Sequence, residues 1–208
     1  MLYTSTVEPG TFSLLEQLML LETLQPFALV GGTALALRYG HRSSVDLDLF
    51  CSCRFDHAPI EEELRQVFGD ALYYEGGHKS FGIFCYINKI KVDIVYTPHQ
   101  LIGKIKVVNG IRMFSSNDIA AMKIQAILGR GRKKDFWDLY ELLQHYSLEK
   151  IIHWHQLKYP TQMLAISIPN AITWFVDADE TESPVSLKGQ TWEQVKKGIS
   201  KAVRDYLS

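Results

Sequence analysis

Asp46 and Asp48 stand two residues apart, with apolar Val45, Leu47 and Leu49 in the alternate positions. Successive side chains of a strand point to opposite faces, so this spacing predicts both carboxylates on one face and the apolar residues in a core on the other. Two carboxylates side by side repel unless a cation lies between them, and hard oxygen ligands suit Mg2+ or Mn2+. A third acid, Asp93, lies in IKVDIVY (residues 90–96), beside Val92 and Ile94, with Tyr96 on that apolar face. A charge among such neighbours needs a partner or a function. An exposed place on an edge strand would also accommodate it. With Asp46 and Asp48 upstream, we read Asp93 as a third ligand, one that could also serve as general base.

Just before the first pair comes a turn of small residues, Gly31, Gly32 and Thr33. Glycine lacks a Cβ, so the chain can turn sharply and bring backbone N–H groups close to a ligand. Thr33 adds a hydroxyl and opens a helix predicted over 34–39, whose N-terminus favours an anion. Residues 29–50 thus offer a phosphate seat at one end and a divalent-metal seat at the other.

The elements that must hold these residues follow from periodicity. Helices are predicted over 11–24 and 60–67, and strands over 27–30, 71–75, 80–87, 90–96 and 111–114, with Asn88-Lys89 as a tight hairpin turn. From residue 116 the period becomes helical: 117–128, 134–145, 148–154 and 162–175, then a loop over 178–189. A last amphipathic helix is marked by Trp192, Val195, Ile199, Val203 and Tyr206. The fold class expected is α+β, a mixed sheet with flanking helices (1–112) followed by a C-terminal helical lobe (113–208).

The chain has 208 residues, 47% of them hydrophobic and 22% charged, which is ordinary for a globular protein with a real core. Its formal net charge of −1 gives no general attraction to nucleic acid, so any such grip must be local. Cys51, Cys53 and Cys85 make no disulfide framework, and Cys51-Ser-Cys53 near His57 lacks the second cysteine pair of a zinc site. With no signal peptide or spanning stretch in the sequence, a cytoplasmic protein that does not enter a membrane is the expectation.

The helical part carries three further features. Lys123 projects among Ile119, Ile124 and Ile127, where it either snorkels to solvent or reaches a phosphate. Arg130, Arg132, Lys133 and Lys134 form a basic segment. Asp135 and Asp138 follow on one helix face, where a cap and a surface ion pair with Arg130 or Lys134 would account for them.

The double-Gly turn followed by Asp-x-Asp resembles the signature of the nucleotidyltransferase superfamily, the polymerase-beta-like fold. The whole series narrows the likeness. Gly31 to Asp48, Lys91 to Ile94, Ala121 to Lys123, Arg130 to Leu139 and, loosely, Thr191 to Val195 resemble the motifs of the AbiEii/AbiGii toxin family of nucleotidyltransferases. The likeness covers roughly residues 25–205, with Thr33 where many superfamily members have Ser. It implies a toxin of a toxin–antitoxin or phage-defence pair that moves a nucleotide from an NTP to an acceptor, for relatives the end of a tRNA. Asp46, Asp48 and Asp93 would be the catalytic acids and hold two divalent ions. Gly31, Gly32, Thr33 and Lys123 would bind the triphosphate, and Asp135 and Asp138 would shape the cleft between lobes. The expected partners are an NTP, an RNA acceptor and a cognate antitoxin. Two other readings stay open: a small-molecule nucleotidyltransferase of the antibiotic-modifying kind, against which the basic segment argues mildly, and a catalytically inactive binding relative.

Overall fold

The computed structural model describes residues 1–75 and 80–208. A helix α1 (Pro9–Leu20) leads into strand β1 (Ala28–Leu29), helix α2 (Gly31–Tyr39), strand β2 (Leu47–Cys51) and helix α3 (His57–Phe68). Strands β3 (Leu72–Tyr74), β4 (Gly82–Ile87), β5 (Ile90–Tyr96), β6 (Lys106–Val108) and β7 (Ile111–Met113) follow. Six helices complete the chain: α4 (Ser116–Gly129), α5 (Lys133–Leu143), α6 (Leu148–Lys158), α7 (Ile168–Ile172), α8 (Val176–Asp179) and α9 (Trp192–Leu207).

Among the described residues the strands form one mixed sheet of seven, in the order β3-β4-β5-β2-β1-β7-β6. Its centre is apolar, with Leu47, Leu49, Val92 and Ile94 buried. The hairpin at 88–89 holds: Asn88 and Lys89 both take positive φ, 52° and 66°, which suits the right-handed twist of the strands they join. Asn109 and Gly110 do the same for β6 and β7, with φ of 51° and 79°. That hairpin and strand β6 are absent from the sequence reading, although Asn-Gly is the strongest short hairpin signal.

Two helices fall short of expectation at their C-terminal or N-terminal ends. Helix α1 stops at Leu20, not residue 24, because the Glu63 carboxylate takes the Glu22 and Thr23 amides at 3.0 Å each, while Arg112 takes the carbonyls of Met19, Leu24 and Phe27. These bonds make a loop as well satisfied as another helical turn. The helix expected over 162–175 shrinks to α7, capped by Ser167, with Pro169 in its first turn. Proline has no N–H to donate, so it begins a helix where it would break one already running. The loop before α9 behaves as read, apart from Ala178 and Asp179, which close α8. It doubles back as a strap: Ser43 donates its amide to Val185 O (2.9 Å) and Leu187 donates to His41 O (3.0 Å). Helix α9 then opens on a reciprocal capping box of Thr191 and Gln194.

The boundary expected after residue 112 falls inside β7, and one continuous apolar cluster runs from the sheet into helices α4, α5, α6 and α9. A buried acid of the second part, itself ion-paired, ties the two parts together by accepting amides of the first. Asp118 accepts from Lys158 (2.8 Å), Ser115 (2.6 Å) and the amides of Ile102 (2.9 Å) and Gly103 (3.0 Å). Lys158 side-chain exposure is 0%. Removing one partner strands a charge in the core, so Asp118→Ala should lower stability by roughly 3–5 kcal/mol, measured by urea denaturation.

Candidate active site

Strand β2 lies parallel to β5, and the register sets Asp48 directly opposite Asp93. Strand β5 is flanked on its other side by β4, so Asp93 sits inside the sheet and not on an edge. The alternative reading of an exposed edge-strand acid is thereby removed. Asp46 immediately precedes β2, not within it as expected, and Lys134 from the first turn of α5 meets it at 3.2 Å. Lys91, two residues before Asp93 on the same strand face, meets Asp93 Oδ2 at 2.9 Å.

The expected convergence of three acids is realised in part. Asp48 and Asp93 are brought together, while Asp46 is turned to Lys134. Among the described residues no three His, Cys, Asp or Glu side chains are grouped closely enough to hold a metal ion. The Asp48–Asp93 pair nevertheless fits a cation. Asp93 Oδ1 is buried and, among the described residues, has no hydrogen-bond partner. Burial, then the neighbouring Asp93 charge, pushes the Asp48 carboxyl up to about 6. A carboxylate in that position is short of positive charge.

The small-residue turn packs more tightly than the sequence reading supposes. The helix starts at Gly31, so Thr33 is its third residue and faces inward; it is 1% exposed, and its hydroxyl bonds the Asp46 carbonyl and Ser44 Oγ (2.8 Å). It therefore braces the approach to β2 and offers nothing to a ligand. A Cβ on Gly31 would fall 2.5 Å from Asp48 Oδ2, and Gly31 also takes φ +71°, so only glycine lets this turn cross the acid. The space beside Gly32 is filled by the Arg42 guanidinium. What remains for an anion is the first turn of α2, which among the described residues no side chain caps.

Beneath the site lies a buried ionic cluster centred on Asp138. Its carboxylate receives Arg42 Nε (2.7 Å) and Nη2 (2.8 Å), His41 Nε2 (2.7 Å) and Lys123 Nζ (2.7 Å). Lys123 also reaches Asp135 (3.0 Å), which Arg130 meets from outside at 3.2 Å. Burial alone would raise both carboxyls; Arg42 and Lys123 instead hold Asp138 well below its ordinary value, and Lys123 and Arg130 lower Asp135. Lys123 thus takes neither course foreseen for it: its ammonium is committed to two acids, with 6% side-chain exposure, in place of solvent or a free phosphate. Asp135 and Asp138 are not surface groups but the buried seat of that ammonium. His41 and Arg42, which complete this cluster, are residues that sequence reasoning missed. The available signal was a His-Arg pair placed directly between an apolar helix and the Asp-x-Asp strand.

The mixed sheet, the helices after it and the paired acids beside a helix N-terminus define a nucleotidyltransferase fold of the polymerase-beta-like kind. Solved structures that share it include JHP933 from Helicobacter pylori (TM-score 0.56, 16% identity, covering 95% of this chain and 92% of that one) and MenT4, a nucleotidyltransferase toxin from Mycobacterium tuberculosis H37Rv (TM-score 0.55, 15% identity, 95% and 86%). Residues 13–159 match the family described as nucleotidyl transferase AbiEii toxin, type IV TA system, and the chain belongs to that family. An uncharacterized protein of Aquifex aeolicus (strain VF5) is 32% identical over 203 residues, 93% of this chain and 94% of the relative.

Proposed function

We propose that this chain transfers a nucleotide from an NTP to a macromolecular acceptor, an RNA such as tRNA, as the toxin of a toxin–antitoxin or phage-defence pair. The observation that carries the reading is the in-register pair Asp48–Asp93, set beside the uncapped first turn of α2. Asp48 and Asp93, joined by Asp46 once it turns from Lys134, would hold Mg2+ or Mn2+. Bound there, the metal would neutralise charge on the α-phosphate and leaving pyrophosphate and lower the pKa of the attacking hydroxyl.

The chain's own residues do the rest. The α2 amides receive phosphate oxygens. Asp93 Oδ1, without a hydrogen-bond partner among the described residues, would accept the proton of the attacking hydroxyl. Gly31 keeps backbone and Asp48 within contact, so nucleotide and metal would share one small volume. The sheet and α2 would form a catalytic lobe, and the helices from α4 onward a second lobe closing over it. Arg130, Arg132, Lys133 and Lys134 lead away from Asp46 and would supply the local positive charge that a phosphodiester acceptor needs and the net charge of the chain lacks.

The test is incubation with each labelled NTP, Mg2+ and total RNA. Label in an RNA band, lost on adding a chelator, is the expected result. Label in no RNA with any of the four NTPs would overturn the RNA reading, and label on a small hydroxyl compound in its place would move the protein to the small-molecule class.

A further inference from the structure

Lys123 is locked between two buried acids, but two other lysines are not. Lys134 Nζ lies 3.2 Å from Asp46 Oδ2, with side chains 35% and 38% exposed. Lys91 Nζ lies 2.9 Å from Asp93 Oδ2, with side chains 35% and 16% exposed. Each therefore rests an ammonium on an acid of the metal site while keeping part of its stem in water, free to swing. They come from unrelated elements, β5 and the first turn of α5. The fields of Asp46 and Asp48 as well as Asp93 reach Lys91, and that of Lys134 reaches Asp48, so the two ammoniums and three carboxylates form one local group.

A cation that binds these acids must displace both ammoniums. A bare metal ion would leave two lysines beside a new positive charge, without partners. A metal ion arriving with a polyphosphate brings acceptors for them. We propose that Lys134 and Lys91 are triphosphate-binding residues that the free protein parks on Asp46 and Asp93. When nucleotide and metal arrive together, each acid exchanges an ammonium for the metal and each ammonium exchanges a carboxylate for a phosphate oxygen. Asp46, Asp93 and the two ammoniums stay paired throughout. Lysine suits this exchange better than arginine would, because its compact charge on a flexible stem has no fixed fork to realign. The proposal rests on the nucleotidyltransferase reading above. It adds that metal and nucleotide load together and names the two side chains that enforce it.

The experiment is calorimetric titration of the full chain with Mn2+ alone, then with inorganic triphosphate at saturating Mn2+, which probes the phosphate seat whatever base is used. Lys134→Met and Lys91→Met should each tighten Mn2+ alone, by about two- to fivefold, the range of a partly exposed ion pair removed as competitor. The same variants should weaken triphosphate by about tenfold or more, for loss of a charge-assisted hydrogen bond. Lys134→Arg should recover part of the triphosphate affinity, and Lys150→Met, exposed on α6, should change neither. Opposite signs in the two titrations are the signature, since an ornamental surface ion pair would leave triphosphate affinity unmoved. Unchanged or weakened Mn2+ binding, or unchanged triphosphate binding, in both methionine variants overturns the proposal. If the unsubstituted chain binds neither probe, the transferase reading itself fails, and the proposal with it.

Discussion

Asp48→Asn should abolish nucleotide transfer and, at neutral pH, make the protein more stable. The loss follows from removing the acid that faces Asp93 across β2 and β5. A ligand lost from a metal site that stabilises transition-state charge by several kcal/mol should slow transfer roughly a thousandfold or more. The gain follows from linkage. Burial and Asp93 raise the Asp48 carboxyl in the folded chain to about 6, above its ordinary value of 3.8. Between those two pH values the folded state holds the Asp48 proton and the unfolded state has released it. Stability therefore falls as pH rises through this window and levels off above about 6. An asparagine at this position would carry no such linkage. The variant should match the unsubstituted protein near pH 4 and exceed it by about 1–2 kcal/mol at pH 7.5, once solvent screening is discounted. Urea denaturation at both pH values checks this, because titrating groups remote from Asp48 are common to the two proteins and cancel in the difference. A variant that is inactive and less stable at pH 7.5 would mean that Asp48 is held by favourable partners and is not a cation seat waiting to be filled.

The acids of the site were legible because an aspartate at every second position of an apolar strand contradicts the core that its neighbours build. The same logic found Asp93. Which strands would lie side by side was not legible, since the register that sets Asp48 against Asp93 joins segments 45 residues apart. The small-residue turn was legible as a turn but not as a packed one. Thr33 turns inward because the helix starts earlier than read, at Gly31, and Gly32 lacks a side chain to make room for Arg42, not for a phosphate. Lys123 and Asp138 were found by pattern and misplaced by environment. Their burial depends on Arg42, 96 residues from Asp138, and on the 185–187 strap that holds Arg42 in place. The apolar content of 162–175 suits a longer helix, but Pro169 fixes the start of α7 inside it. Strand β6 is too short and exposed to show in periodicity; its signal is the Asn109-Gly110 turn.

The buried cluster yields a stability ordering that separates a shared hub from a string of independent pairs. Asp138 is the only acid in direct contact with the Arg42 guanidinium among the described residues, and it also holds Lys123 and His41. Arg42 and Lys123 repel one another across it. Asp138→Ala leaves those two cations facing each other in the core, so the cost should reach roughly 3–5 kcal/mol or more, a fall in Tm of about 10 °C for a chain of this size. Lys123→Met is the milder change. Asp138 keeps Arg42 through two bonds, Asp135 keeps Arg130, and the apolar stem is retained, which limits the loss to about 1–3 kcal/mol. Thermal denaturation of the two variants reads the ordering directly. Since the Lys123→Met protein should remain folded, its triphosphate affinity can be measured as well. Unchanged affinity would make Lys123 a structural counter-ion for Asp135 and Asp138. A loss of tenfold or more would show that binding draws the ammonium off those acids towards the phosphates, about the worth of one charge-assisted bond. Equal destabilisation by the two substitutions would place the hub at Lys123, and the seat of Arg42 against Gly32 would then hang on the 185–187 strap and not on Asp138.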